Sequence, residues 1–365
     1  CVGEFSQDTA ATSNCSTSAR NDAVMVTGDG TGTDDGLLDI DQVNSDGFRL
    51  VVDNTAPANL TVFWEAWGGA DITVAACFDI AEPATAVATN YTVTGFIAGA
   101  TDQVIMLAGV QSTAALNSSL VESCTLNVGF AAGVGEQNSI CVMGSNDSGS
   151  TTSDCDGGCY TGLCISSVAL AGAAVNDARA YLSAYGTNLF TLQWAERAIT
   201  NRRTVGLAMK GGSWASGSLT IEGQTASATA TVSGLPFTPK GMSLISRMTA
   251  EQADDVTTVQ DRIGWGTGTT TASRRSMDYW DEDTPTTIDI NFGLQYDQVL
   301  SFTLATGAAG PALDINAMNA DGFQLIVDVN GGVTAQWVGY LTFGDARPIP
   351  YVVMGPPLAP RGSGL

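Results

Sequence analysis

The stretch Ala320–Val327 reads ADGFQLIV, and its pattern recurs upstream as SDGFRLVV at Ser45–Val52 and as TNLFTLQW at Thr187–Trp194. In each copy a turn-forming pair precedes a phenylalanine, and apolar and polar residues then alternate. Alternation with period two after a turn is typical of a β-strand with one buried face. The Asp-Gly pairs are predicted to supply a positive φ for a tight turn.

The three copies keep a regular spacing along the chain. The interval from Phe48 to Phe190 is nearly equal to the interval from Phe190 to Phe323. We therefore predict that these three phenylalanines are equivalent core residues of an internal repeat. A second predicted strand, which closes on glycine, follows each copy; the three are Phe63–Gly69, Val205–Gly212 and Val338–Asp345.

A glycine–aromatic pair marks the earlier part of each unit. It is Gly129-Phe130 in the second unit and Gly264-Trp265 in the third, so Phe130 and Trp265 are also predicted core residues. The first unit shows only Val2–Phe5 at this landmark and is predicted to be incomplete at its N-terminus. Upstream residues or strands of another chain are expected to complete it, because open sheet edges promote association.

These patterns predict an all-β protein of tandem β-sandwich or jelly-roll-like domains. The composition agrees, since charged residues are only 14% and Gly alone numbers 42. The predicted organisation is a partial first sandwich at 1–76, a second at 77–213 with a cysteine-rich insertion, a third at 214–345, and a proline-rich extended tail at 346–365. The tail is either a linker or an arm that lies on a neighbouring subunit.

Charge and residue usage disfavour several function classes. With 37 acidic and 14 basic residues, the formal net charge is −23, which repels phosphate backbones and argues against nucleic-acid binding. The chain has no histidine, the commonest general base and metal ligand. The longest apolar stretch is too short to cross a bilayer. We therefore predict a protein that is not an enzyme, needs no cofactor and does not insert into a membrane.

All eight cysteines lie in the first half of the chain. An even count predicts disulfides and an oxidising, extracellular setting. Four thiolates could alternatively hold zinc, although the spacing lacks paired Cys-x-x-Cys motifs. The disulfide candidates are Cys1, Cys15, Cys77, Cys124, Cys141, Cys155, Cys159 and Cys164.

Two other segments carry oxygen-rich chemistry. The run Gly28–Gly36 places oxygens at alternating positions, as calcium loops do, but lacks the late glutamate of an EF-hand and is interpreted as an acidic turn. The second segment, Asp278–Asp283, surrounds Tyr279 and Trp280 with carboxyl groups. It could hold a sugar or supply paired acids to a glycosidase, and the favoured interpretation is an aromatic loop that contacts a partner protein.

The repeated motifs resemble a family of tailed-phage virion proteins. The resemblance covers the third unit best, the second with gaps and the first in part; in the second unit Asn188-Leu189 replaces Asp-Gly. It implies a place in the particle, such as capsid decoration, head fibre, collar or tail fibre, and no reaction. The motifs that carry it are Ile263–Gly266, Ser273–Ser276, Leu313–Ile315, Asp321–Phe323 and Gly339–Gly344.

The expected function is therefore that of a phage virion structural protein, located in the extracellular particle. Its expected partners are copies of itself, as a homo-oligomer, or other virion proteins. The alternative is a secreted or surface carbohydrate-binding β-sandwich protein that uses aromatic loops such as Tyr279-Trp280 as sugar platforms.

Overall fold

The computed structural model describes residues 1–346, except for 8–13, 29–32, 56–61, 63, 112–114, 122–123, 145–154, 169–175, 198–201, 254–257, 260, 282–290, 304–308 and 332–334. The predicted tail after residue 346 lies outside the described residues. Regular structure in the described part consists of β-strands alone, so the all-β prediction is confirmed. With no helix there, none of the described residues forms a helix that could span a membrane.

The strands are numbered in chain order. The first nine are β1 (Val2–Gln7), β2 (Asn14–Ala19), β3 (Met25–Gly28), β4 (Asp34–Asn44), β5 (Gly47–Asn54), β6 (Val74–Ala81), β7 (Ala88–Thr92), β8 (Gln103–Gln111) and β9 (Ser118–Val121). The next nine are β10 (Cys124–Gly133), β11 (Glu136–Gly144), β12 (Cys155–Thr161), β13 (Ile165–Val168), β14 (Asn176–Gly186), β15 (Leu189–Glu196), β16 (Arg202–Lys210), β17 (Ser213–Ile221) and β18 (Thr229–Val232). The last nine are β19 (Phe237–Ser246), β20 (Thr258–Val259), β21 (Asp261–Thr270), β22 (Ser273–Asp281), β23 (Asn291–Gln295), β24 (Leu300–Thr303), β25 (Ala309–Asn319), β26 (Gly322–Val329) and β27 (Gln336–Ala346).

The strands of the described residues form six antiparallel sheets, which we label A to F. Sheet A has the order β1-β2-β9 and sheet B the order β3-β4-β5. Sheet C is β20-β12-β11-β10-β8-β16-β6, and sheet D is β13-β14-β15-β7. Sheet E is β17-β27-β19-β21-β22-β23, and sheet F is β18-β26-β25-β24. When sheets E and F are read from their opposite ends and β20 is left out, corresponding strands of the second and third units follow one another in the same order in C and E, and in D and F.

Three hairpins share one register. In the β4–β5 hairpin the register shifts between Leu37 and Leu38 and again between Ile40 and Gln42. The β14–β15 hairpin has the same two shifts, at positions displaced along the chain by the interval from Phe48 to Phe190. The β25–β26 hairpin has them as well, displaced further by the interval from Phe190 to Phe323. The spacing read from the sequence thus coincides with equivalent positions in three hairpins.

Each repeat phenylalanine is the second residue of its strand. Phe190 and Phe323 are fully buried, whereas Phe48 is partly exposed and packs edge-on against Trp64 with ring centroids 5.2 Å apart. The other two predicted core residues share a single core. Phe130, on sheet C, is fully buried in this core, and Trp265, on sheet E, packs against the same core from the facing sheet.

The turns before these phenylalanines differ from the prediction. Neither Gly47 nor Gly322 has a positive φ, so the predicted role of Asp-Gly is wrong; Asn188, at the equivalent turn, does have a positive φ of 59°. The glycine at 322 has another physical reason. A Cβ there would lie 1.8 Å from the carbonyl oxygen of Val232, so a side chain would prevent β18 from pairing with β26.

Four sheets stack in the order D, C, E, F, with a hydrophobic core between each neighbouring pair. The D–C core contains Phe190 and Trp194, and the E–F core contains Phe323 and Leu325. A third core joins sheets C and E and includes Trp337. The central strands of sheets C and E are therefore buried on both faces, which explains why β11 is buried at every position after its first.

Polar contacts also join sheets C and E. The buried Asn138 of β11 donates through Nδ2 to Ser216 Oγ at 2.8 Å, to the Gly217 carbonyl at 2.8 Å and to the Tyr340 carbonyl at 3.0 Å. Trp337 Nε1 donates to Thr161 Oγ1 at 3.2 Å. Buried hydrogen bonds of this kind fix how two packed faces register on each other.

The predicted closing strand of the first unit is wrong in part. Residues 64–69 have no regular secondary structure, whereas the corresponding segments of the other units are β16 and β27. Phe63 lies outside the described residues. The predicted domain limits remain predictions. Two strands cross them: β6 begins at Val74, before the first limit, and pairs with β16 of the second unit. β17 begins at Ser213, before the second limit, and pairs with β27 of the third unit.

Candidate functional site

A groove of about 370 Å³ lies where a segment near the end of the first unit crosses the face of sheet E. Its floor comes from β19, β21, β22 and β27, and one wall is the segment Trp64–Trp67. We call it the Trp64 groove. Its aromatic and charged lining consists chiefly of Trp64, Glu65, Trp67, Arg274, Arg275 and Tyr296.

Aromatic contacts hold the Trp64–Trp67 segment in place. The ring of Trp67 lies 4.6 Å from Phe343 and 5.4 Å from Trp214, measured between centroids. Such aromatic pairs stabilise beyond the area that they bury. Trp64, by contrast, is 63% exposed and packs against the partly exposed Phe48. The segment is thus anchored at Trp67 and presents Trp64 to solvent.

The carboxyl group of Glu65 points into the molecule beneath this segment. Its Oε1 accepts a hydrogen bond from Ser243 Oγ at 2.9 Å, and its Oε2 accepts one from Trp67 Nε1 at 3.2 Å. Trp265 Nε1 donates to the same Ser243 hydroxyl at 3.0 Å. Burial raises the pKa of Glu65, and the hydrogen bonds from Ser243 and its other neighbours oppose the shift only in part.

Two arginines of β22 also line the groove. Arg274 Nε pairs with Asp314 Oδ1 at 2.6 Å, and both side chains are mostly buried. Arg275 Nη1 donates to the Tyr296 carbonyl at 2.9 Å, and its guanidinium lies 5.5 Å from the centroid of the Tyr296 ring. Tyr296 itself is 57% exposed.

The described lining of the groove supplies aromatic faces, hydrogen-bond donors and one carboxylic acid. Exposed aromatic faces at Trp64 and Tyr296 can stack on a flat apolar surface, such as a sugar ring, while Arg275 can donate hydrogen bonds. Among the described lining residues Glu65 is the single carboxylic acid, whereas glycoside hydrolysis uses two carboxyl groups at a fixed separation.

Of the aromatic pair considered as a sugar platform, the structure buries Trp280 and leaves Tyr279 partly exposed. Trp280 is 1% exposed and stacks under the guanidinium of Arg262 at 5.2 Å, so that part of the prediction is wrong. Asp278 is also buried, and its carboxylate accepts a hydrogen bond from the backbone of Thr303, so it faces the E–F core rather than a partner. Glu282 and Asp283 lie outside the described residues.

The segment Gly28–Gly36, interpreted as an acidic turn with a calcium loop as the alternative, is described only at its ends. Asp34 pairs with Arg20 at 2.5 Å, and Asp35 accepts a hydrogen bond from Thr27 Oγ1 at 3.0 Å. These two carboxylates thus face protein groups. The described residues contain no group of Cys, Asp or Glu side chains arranged to hold a metal ion.

The cysteine-rich segment is divided among separate cores. Cys159 lies between sheets C and E, Cys164 lies between sheets C and D, and Cys141 packs in a third cluster with Tyr160. The six cysteines whose side chains are described form no disulfide with one another, so bridges among these three are not supported. Neighbouring residues on a strand face opposite sides of a sheet buried on both faces, which separates them. For Cys15 and Cys124 the disulfide prediction stays a prediction, because their side chains are not described.

We predict that alkylation will distinguish exposed from buried thiols. Burial raises the pKa of Cys141 and Cys159 to about 11 and that of Cys164 to about 12, so all three stay protonated and inert at neutral pH. Iodoacetamide at pH 8 should therefore modify the exposed Cys77 in the native protein and reach the buried three only after denaturation. Mass spectrometry of the native sample would contradict the burial pattern if Cys164 were labelled as fast as Cys77.

We further predict that Glu65→Gln changes how stability depends on pH. Because the folded-state pKa of Glu65 is raised, the wild type should lose stability as pH rises from the ordinary glutamate pKa of about 4.3 through the folded value. The variant lacks this loss, so its free energy of unfolding should increase relative to that of the wild type as pH rises. Urea unfolding from pH 4 to pH 8 measures it.

Glu222→Gln provides the matched control. Hydrogen bonds from Thr225 and Gln224 lower the pKa of this exposed glutamate, so its contribution is lost as pH falls instead. The two variants should therefore diverge from the wild type in opposite directions. Parallel curves for Glu65→Gln and the wild type would show that Glu65 titrates as it does in water.

Sequence reasoning missed the residues of the Trp64 groove. One signal was present: counted back from the closing glycine, Glu65 stands where the two later units have Ala208 and Leu341, a charge at an apolar position of the repeat. Arg275 and Tyr296 gave no such signal, since the strand pairing of β22 with β23 is what brings them together.

Comparison of the chain with protein-family models, with curated proteins and with solved structures finds no match. Function is therefore inferred from the residues and contacts described above.

Proposed function

We propose that this chain is a non-enzymatic structural component of a tailed-phage particle, such as a capsid decoration, head fibre, collar or tail fibre protein. It acts by assembly and adhesion in the extracellular particle. The observation that carries the proposal is the stack of sheets D, C, E and F, in which three cores and the Asn138 contacts join repeated sandwiches into one body. Extensive buried contacts between the sandwiches suit a structural role.

The charge and the composition also support this role. A net charge of −23 keeps a protein soluble when it is crowded on a particle surface and repels encapsidated nucleic acid. The absence of histidine from the sequence fits a role without acid–base chemistry at neutral pH. The resemblance of the Asp321–Phe323 and Gly339–Gly344 motifs to tailed-phage virion proteins points the same way.

The test is the location of the chain in an infected culture. Density-gradient particles should contain it at a fixed ratio to the major capsid protein, measured by mass spectrometry, and gold-labelled antibodies should mark one place on the particle. Recovery of the chain only from the host cells or the medium, with none in washed particles, would contradict the proposal.

A second candidate, carbohydrate binding, is favoured by the Trp64 groove rather than by the buried Trp280. Exposed Trp64 and Tyr296 line this groove together with Arg275, a set of groups that suits a sugar ring with its hydroxyl groups. Glycan-array binding that Trp64→Ala and Tyr296→Ala both abolish would favour this function. Binding that survives both substitutions, or none at all, would count against it.

A further inference from the structure

Two short strands each connect a unit to the one before it, although at different sheet positions: β9 takes the place that β12 and β23 hold in the later units, and β20 takes the next place outward. β9 lies in the chain between β8 and β10, and β20 lies at the equivalent place between β19 and β21. Each leaves its own unit and pairs with the edge of the preceding unit's sheet: β9 pairs with β2, and β20 pairs with β12. Both add to the same side of the sheet, so each unit supplies a strand that covers the edge of the unit before it.

In the second unit this connection buries the sheet edge. Residues beside β20 reinforce it, since Gln252 Oε1 accepts a hydrogen bond from the Cys159 amide at 2.9 Å and Glu251 Oε1 accepts one from the Thr161 amide at 2.9 Å. β20 itself pairs with Asp156 and Gly157, and β12 is buried from Cys155 to Tyr160. A covered edge of this kind has its backbone groups paired.

The equivalent edge of the third unit is β23. Among the described residues no strand pairs with its outer side. Beside that edge lies an apolar patch, in which Phe292 is 64% exposed and Leu294 and Met277 are each 42% exposed. Phe292 and Leu294 stand directly opposite Tyr279 and Met277 on β22, so the patch is continuous on one face of the sheet.

We propose that the outer edge of β23 accepts a strand from a second copy of this chain, supplied by Tyr351–Met354. This stretch reads YVVM, lies in the segment after Ala346 and has proline or glycine on both sides. Tyr and Val suit a strand, and the stretch has the same length as β9. The only charged side chains after Ala346 are Arg347 and Arg361, so the tail is attracted to an acidic second copy.

The arrangement repeats between copies what β9 and β20 do within one copy. It produces head-to-tail contacts, because the donor tail and the acceptor edge are different surfaces, and such contacts extend into a ring or a filament. The inference deepens the proposed assembly role and rests on it only for its biological setting, since self-association is measurable on the purified chain.

The experiment is sedimentation velocity of the full chain over a hundredfold range of concentration. We expect concentration-dependent oligomers, and we expect the paired substitution Phe292→Lys and Leu294→Lys to raise the apparent dissociation constant at least tenfold. Val352→Lys with Val353→Lys should do the same from the donor side. Val134→Lys, at a 65% exposed valine in the β10–β11 turn, is the matched control and should leave association unchanged.

Each outcome decides the matter. A wild-type chain that stays monomeric throughout, or oligomers that persist in either lysine pair, would overturn the proposal. A monomeric chain found at fixed ratio in particles would overturn this inference and leave the virion role intact. If the chain formed tail-dependent oligomers but were absent from particles, this inference would stand and the virion role would be overturned.

Discussion

Trp337→Ala should lower the free energy of unfolding by about 3–5 kcal/mol, the usual cost of truncating a fully buried tryptophan. Trp337 is 1% exposed and lies in the core that joins sheets C and E. Its removal leaves a cavity between two sheets and also deletes the hydrogen bond to Thr161. Because both flanking sandwiches retain their own cores, we expect the C–E interface to open first. The midpoint of urea unfolding, followed by tryptophan fluorescence, measures the loss.

Trp64→Ala is the matched control for this prediction. The same change at a ring that is 63% exposed should alter stability by no more than about 0.5 kcal/mol, as surface substitutions usually do. Similar losses for the two variants would mean that the C–E core contributes little, and that the sandwiches are held together in some other way.

The second large effect is expected at Asn138. Asn138→Ala deletes an amide whose two N–H groups lie within hydrogen-bond distance of three acceptors, and it should cost about 1–3 kcal/mol, the penalty for leaving buried polar groups unpaired. Asn138→Asp replaces the donating amide by a carboxylate that faces the carbonyl groups of Gly217 and Tyr340. An uncompensated buried charge should raise the cost to about 3–5 kcal/mol at neutral pH.

The aspartate variant should also respond to pH. Burial favours the neutral acid, so the folded-state pKa of the new carboxyl is raised. The free energy of unfolding of the variant should therefore fall as pH rises from 4 to 8. Urea unfolding of the aspartate and alanine variants side by side isolates the charge. If Asn138→Asp were no less stable than Asn138→Ala at pH 8, the amide would not be the contact that joins β11 to sheet E.

The sequence predicted the hairpins well because their information is local. Alternation around Phe190 and Phe323 predicts a strand with one buried face, and the regular spacing of the repeat phenylalanines coincides with the shared register shifts. The same reasoning failed at Trp64–Gly69, where the repeat predicts a strand and the segment instead crosses sheet E. Local pattern does not show which neighbour will be available for pairing.

The candidate site was beyond local reasoning for a related reason. Trp280 was predicted to be exposed because acids surround it in the chain, yet it points into the protein. Trp64 and Tyr296 belong to the first and third units, and only the docking of the first unit's connecting segment on sheet E brings them to one groove. Contacts between residues so distant in the chain leave no periodic signal in a single sequence.

By itself, then, the sequence determined the all-β class, the repeated hairpins and the acidic, histidine-free surface, since each follows from the composition or from patterns within about ten residues. Only the tertiary structure decided that sheets C and E pack face to face, that the cysteines are divided among separate cores, and that β9 and β20 each cover the edge of the preceding unit. The physical reason is that burial on a second face and strand pairing at an edge depend on a partner far away in the chain.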